Sequence, residues 1–216
     1  MGMYGHVRQI TPEELNQLQR NPESVEQFLF AKIEANTPAI RAALERVQQI
    51  AIRAKSNGQM QDPAEIEKTR ALILNELSRT GVQVQDGAGD GAGDEGLSLE
   101  KSWHALHYLL TGTIETAAPP LGNAILGGEE IGEERDYGRV RFLTPEQVGE
   151  VARALGALSK GDLVGRFDVK KMKAANVIYP CRDQSEFELA QHYFEQLSRY
   201  YADAAASGSA ILLWLD

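Results

Sequence analysis

A chain of 216 residues and 23.8 kDa fits one large domain or two small ones, and its 43% hydrophobic and 25% charged residues allow a core of ordinary size. Twenty-two Lys and Arg against 31 Asp and Glu leave a net charge of −9, which argues against a non-specific nucleic-acid binder, because phosphate contacts need clustered cations. The single cysteine, Cys181, excludes an internal disulfide framework and a Cys-rich zinc module, and no apolar run reaches the roughly 18 residues of a membrane span. The opening Met1–His6 lacks the charged and apolar regions of a signal peptide. The expectation is a soluble, cytoplasmic protein with neither nucleic acid nor membrane as its partner.

The chain begins with an internal echo. Val7–Leu15 reads almost like Val140–Val148, each a short extended segment running into Thr-Pro-Glu-Glu or Thr-Pro-Glu-Gln. Thr11 and Thr144 suit the N-cap, proline at the first helical position has no N–H to leave unpaired, and Glu14 or Gln147 can reach back to close a capping box. Both copies therefore predict strand, sharp turn and helix start. A duplication and two independent uses of a common signal both account for the echo, and the second is the simpler.

The first helix is expected from Pro12 to Arg20, ending near Asn21-Pro22. Another starts at Ser24, with Val25, Phe28, Leu29 and Ile33 at helical spacing. Beyond Asn36-Thr37-Pro38, the stripe Ile40, Leu44, Val47 and Ile50 predicts a helix ended by Ser56-Asn57-Gly58. Asp62-Pro63 opens one more, with Ile66, Ile73, Leu74 and Leu77 on its apolar side. Residues 86–96, with only Asp, Gly, Ala and Glu, read as a flexible acidic loop. Its aspartates, Asp86, Asp90 and Asp94, are not at the alternating positions of a calcium loop.

The most distinctive stretch is Leu97–Gly112, read as one helix capped by Ser98 and ended by a left-handed Gly112. Pro119-Pro120 follows in a loop, and Gly122–Gly128 predicts a short buried strand leaving into a glycine turn. Glu129 to Tyr137 reads as a polar loop, and Arg139–Leu143 as a strand into the second capped helix, which carries Val148, Val151, Leu155 and Leu158. Phe167 and Met172 are the apolar points of Leu163–Ala175. A long helix from Ser185 to about Ser207-Gly208 turns Phe187, Tyr193, Phe194, Leu197 and Tyr201 inward. Ala210–Leu215, short, apolar and bounded by glycine, predicts a buried strand. The pattern is α+β: a small mixed or antiparallel sheet of short strands, with several helices packed on one side of it, in a single domain.

Chemistry has few places to reside. On a continuous helix Glu100, His104 and His107 would share one face at i, i+4 and i+7, and a carboxylate with two imidazoles is a metal-ligand set. The string is HALH and not HExxH, so the preferred reading is a core helix whose histidines hydrogen-bond to backbone, with no metal or other cofactor. Gly127-Gly128 after a strand can admit an anion, but Glu129 and Glu130 stand where a phosphate would go, which favours a turn needing positive φ. Arg139 and Arg141 fall on one strand face and can pair with the glutamates of 129–134. Cys181 has no CxxC partner.

Five segments together resemble the YfbM-like family, a bacterial domain of unknown function: the opening Met-Gly-Met-x-Gly, Leu99–Gly112 (LEKSWHALHYLLTG), Pro120–Gly132 (PLGNAILGGEEIG), Tyr137–Leu143 with its Thr-Pro-Glu helix start, and Ala210–Leu215. The resemblance spans the chain in order, except chiefly the helical stretch 31–80 and the acidic loop, which read as an enlargement. It implies a compact cytoplasmic α+β domain and supplies no catalytic residues. The resulting functional expectation is a non-enzymatic module for an unidentified protein partner, of the immunity type if that partner is a basic protein such as a toxin. The alternative is a small-molecule or metal-dependent site where the WHxLHY helix meets the glycine turn. The candidate residues for a ligand or partner site are Trp103, His104, His107, Tyr108, Gly127, Gly128 and Tyr137.

Overall fold

The computed structural model describes residues 2–29 and 96–216. The chain divides into two compact units, one made of Met1–Glu26 with Ala92–Asp216 and the other of Gln27–Gly91. Of the second unit only residues 27–29 are described, and they are helical. The helices expected across 31–80 and the acidic loop, Gly96 apart, lie outside the described residues.

The first unit is built on a five-stranded sheet in which every neighbouring pair is antiparallel, ordered β2-β1-β5-β4-β3. The strands are β1 (Gly5–Ile10), β2 (Leu97–Glu100), β3 (Glu129–Ile131), β4 (Val140–Leu143) and β5 (Ala210–Leu215). The predicted apolar β5 takes the centre, where a strand is covered on both faces and a continuous Ala-Ile-Leu-Leu run fits. Its partners are set in register: Val7 lies opposite Leu213, and Leu143 opposite Ile211.

Side chains alternate across the sheet, so this register decides two cores. Val7, Leu97, Leu143, Ile211 and Leu213 join the main cluster with Trp103, Leu106, Val151, Leu155, Leu197 and Tyr201. Ile10, Val140, Phe142 and Leu212, on the other face, are buried outside that cluster, as are Leu15, Leu18 and Val25. Helices on one side only is therefore too simple: both faces are covered. Each fully buried leucine contributes about 1.5–3 kcal/mol relative to an exposed one.

Both predicted capping boxes form. Thr11 Oγ1 accepts from Glu14 N at 3.1 Å while Glu14 Oε2 accepts from Thr11 N at 2.8 Å, starting α1 (Pro12–Arg20). Thr144 Oγ1 accepts from Gln147 N at 3.4 Å and Gln147 Oε1 from Thr144 N at 2.9 Å, starting α3 (Pro145–Gly156). Between them α2 (Trp103–Thr111) ends on Gly112 at φ 79°, as expected. Arg166, the last residue of α4 (Lys160–Arg166), donates to the carbonyls of Leu109 at 3.1 Å and Leu110 at 2.8 Å, closing the C-terminal turn of α2. The short α5 (Val169–Ala174) and the long α6 (Gln184–Ala206) are N-capped by Asp168 and Asp183. Tyr193, expected inward on α6, is only partly buried against the core.

Three local expectations are corrected. Leu97–Glu100 is strand, not helix, because it pairs with β1, and α2 starts five residues after Ser98, with Ser102 as its N-cap residue. Gly122–Gly128 is not a strand: Leu121–Ala124 is a turn of 3₁₀ helix. The polar segment after it contributes β3, an edge strand whose Glu129 and Glu130 are exposed.

Candidate functional site

Helix α2 is buried almost all round, which carries both of its histidines inside. His104 is 4% exposed and stacks on Trp103, with ring centroids 4.6 Å apart. Its Nε2 donates to the carbonyl of Ile114 at 3.3 Å, and its Nδ1 accepts from Ile178 N at 3.0 Å. This pairing requires the neutral imidazole with its proton on Nε2. His107 is 0% exposed; its Nε2 donates to the Glu115 carbonyl at 2.8 Å, and its Nδ1 has no partner among the described residues.

Burial pushes both imidazoles below their ordinary pKa, against the opposing pull of the Ile114 and Glu115 carbonyls. The Glu115 charge also favours the protonated form of His104, and His104 itself disfavours it at His107. The two rings thus act as neutral ties between α2 and the loop that follows it, and His104 reaches a second loop through Ile178.

The metal set proposed from spacing does not assemble. Glu100 ends β2 with φ 49° and accepts from Ser98 Oγ at 3.3 Å, so it shares no helix face with the histidines. Among the described residues no group of three or more His, Cys, Asp or Glu converges. Of the other candidates, Trp103 Nε1 donates to the Met3 carbonyl at 3.2 Å, and Tyr108 is half-buried against the core.

The imidazoles' partners are Ile114, Glu115 and Ile178; Gly127, Gly128 and Tyr137 are not among them. The glycine turn has steric reasons of its own. A Cβ on Gly127 would lie 2.2 Å from Asn123 Oδ1, and Gly128 holds φ +93° with room for a Cβ only 2.6 Å from the Phe142 carbonyl. Tyr137 is half-buried in the β3–β4 connection. The arginine–glutamate pairing expected there does form: Arg139 with Glu134 and Arg141 with Glu130, both at 3.3 Å.

A surface feature the sequence did not single out lies behind His104. The start of α2, the 178–182 loop and the first turns of α6 enclose a groove of about 390 Å³, lined by Lys101, Ser102, Ala105, Ile178–Arg182, Glu186 and Leu189. Ile178 and Leu189 are 47% and 49% exposed, two of the few large apolar side chains so exposed among the described residues. The one available signal was Leu189, two residues after Phe187 and so off the buried stripe of α6.

Cys181 sits in the wall of this groove, 3% exposed. Burial, reinforced by the Glu186 charge, pushes its thiol up to about 11, so it is no thiolate nucleophile at neutral pH. Arg182 donates through Nε to Glu186 Oε1 at 2.8 Å and through its backbone N to Oε2 at 2.7 Å, with a further contact from its Nη2.

An open antiparallel sheet with helices on it, and with the two α2 histidines bound into backbone contacts, defines an α+β domain. The family described as "Domain of unknown function (DUF1877)" matches residues 1–214, and the chain belongs to that family. The crystal structure of a protein of unknown function, YfbM, from Escherichia coli shares the fold at a TM-score of 0.56 and 17% sequence identity, covering 99% of each chain. No curated protein matches the chain. No described helix is long and apolar enough to cross a membrane.

Proposed function

We propose that this chain is a non-enzymatic module that binds a protein partner in the groove between the start of α2 and the 178–182 loop. One observation carries the reading: Ile178 and Leu189, each about half exposed, stand together on the same 390 Å³ groove. Apolar side chains left in water at a concave site are typical anchors of a protein contact. The polar groups around them favour binding over reaction, with the Cys181 thiol protonated, Arg182 joined to Glu186, and His104 engaged on both ring nitrogens. The net charge of −9 favours diffusional encounter with a basic partner, and neutralisation of a basic toxin is the form of this role that fits it. A small-molecule site at α2 and the glycine turn has less support, because the histidines and the turn bind different neighbours.

The test is site-specific photocrosslinking in the native host, with the crosslinker at position 178, 189 or 164. Val164 is 55% exposed and away from the groove lining, so it serves as the control. The expected result is one defined protein adduct from 178 and 189 and none from 164. Leu189→Asp should weaken binding of that protein about thirtyfold, the effect of losing an anchor worth roughly 2 kcal/mol. Equal adducts from all three positions, or turnover of a small molecule by the purified chain, would overturn the reading.

A further inference from the structure

The groove is charged differently from the protein that carries it. Lys101, at the α2 end, holds its ammonium 5.8 Å from the ring centroids of both Tyr4 and Tyr179 and has no carboxylate partner among the described residues. Ser102, beside it, has helical backbone angles and makes no side-chain cap bond, so its hydroxyl is not used in starting α2. The acidic groups nearby are engaged: Glu186 by Arg182, and Asp183 by the backbone N–H of Glu186 at 3.0 Å and the Ser185 hydroxyl at 2.9 Å. Of the polar side chains in the lining, the Lys101 ammonium, which can only donate, carries a charge with no carboxylate on it among the described residues, and the Ser102 hydroxyl makes no cap bond. They adjoin the apolar rim of Ile178 and Leu189.

We infer that the groove takes a short protein segment carrying a carboxylate next to a large apolar side chain, the apolar group on Ile178 and Leu189 and the carboxylate on Lys101 and Ser102. This rests on the docking reading of the groove and adds the chemistry of the occupant. A volume of 390 Å³ lies toward the small end of the roughly 300–1,000 Å³ of binding clefts, which suits a short segment and not a whole helix. A cationic residue in the same position would meet the Lys101 ammonium with Glu186 already neutralised. The chain-wide charge of −9 acts at a distance on the whole partner, whereas the groove selects the few residues that touch it.

The test uses the full chain, ¹⁵N-labelled, titrated with the blocked peptide acetyl-Gly-Leu-Glu-Gly-amide and its Gln and Lys counterparts. At low salt the Glu peptide should shift the amides of 178–182 and 189 and bind about fivefold more tightly than either counterpart, the scale of one exposed ion pair. That preference should vanish in high salt and in Lys101→Met, which keeps the apolar stem, while the uncharged Ile178→Ser should weaken all three peptides alike. A Lys peptide that binds as well as the Glu peptide, an unchanged preference in Lys101→Met, or the absence of any shift at the groove would each overturn the inference. Crosslinks from positions 178 and 189 that persist in any of those cases would leave the docking reading standing and remove only the charge assignment.

Discussion

The two Thr-Pro-Glu segments are nearly the same local instruction with opposite tertiary outcomes. Strands β1 and β4 flank β5 on either side, and each runs into a proline-started helix with a complete capping box. Yet Ile10, the residue before the first cap, lies opposite Ala210, whereas Leu143 lies opposite Ile211. Adjacent residues of β5 point to opposite faces, so an offset of one residue sends the two segments to different sides of the sheet. Leu143 with Val148, Val151 and Leu155 enters the main cluster; Ile10 with Leu15 and Leu18 is buried outside it. A cap states where a helix begins. The pairing register states what it will cover.

The sharpest way to break this contrast is to empty each side in turn. Leu155→Ala, at 0% exposure in the main cluster, is expected to cost about 2–5 kcal/mol, and Leu18→Ala, at 3%, about 2–3 kcal/mol, read from urea midpoints. Because the two lie on opposite faces, the double variant should equal the sum within about 0.5 kcal/mol; a clear departure would mean that the two sides share one core. A smaller effect sharpens the similarity. Thr11→Ala and Thr144→Ala should each cost about 1 kcal/mol, nearly the same, since the cap is local. A several-fold difference between them would show that the two boxes are not equivalent parts.

The smallest effect at neutral pH concerns only the main side. His104 and His107 have folded-state pKa values held by burial below the ordinary 6.5, so the unfolded chain takes up protons first as pH falls. The histidines contribute no pH dependence above neutrality, and stability should decline as pH drops through 6.5 toward their lower folded values. Protonated Nδ1 of His104 cannot accept from Ile178 N, so that amide should lose hydrogen-exchange protection before those of α1 do. The depressed carboxylates, such as Asp183 and Glu186, act only below the ordinary carboxylate range of 3.8–4.5, which separates the two windows. An unfolding midpoint unchanged between pH 7.5 and pH 5.5 would contradict the histidine assignment.

Much of the fold is legible in short-range chemistry. The capping boxes at Thr11 and Thr144, the left-handed Gly112 and the apolar run of β5 each act within a few residues, so the sequence alone places them. What it misplaces depends on distant partners. Leu99, Trp103, Leu106 and Leu110 fit a helical stripe, yet Leu97–Glu100 is held extended by hydrogen bonds to β1, some ninety residues earlier in the chain. The polar β3 carries no hydrophobic alternation and exists because β4 offers it an edge. The candidate site divides in the same way. That the histidines would tie into backbone could be read from a buried helix; the groove could not, because it joins α2 to a loop and a helix more than seventy residues further on.

The guanidinium of Arg166 on the carbonyls of Leu109 and Leu110 makes one helix unfinished until another arrives. Nothing in the residues next to Thr111 supplies those donors; they come from 56 and 57 positions downstream. The final turn of α2 is therefore completed by a side chain of α4. A lesion in α4 would be felt first as fraying at the far end of the helix that carries the two imidazoles.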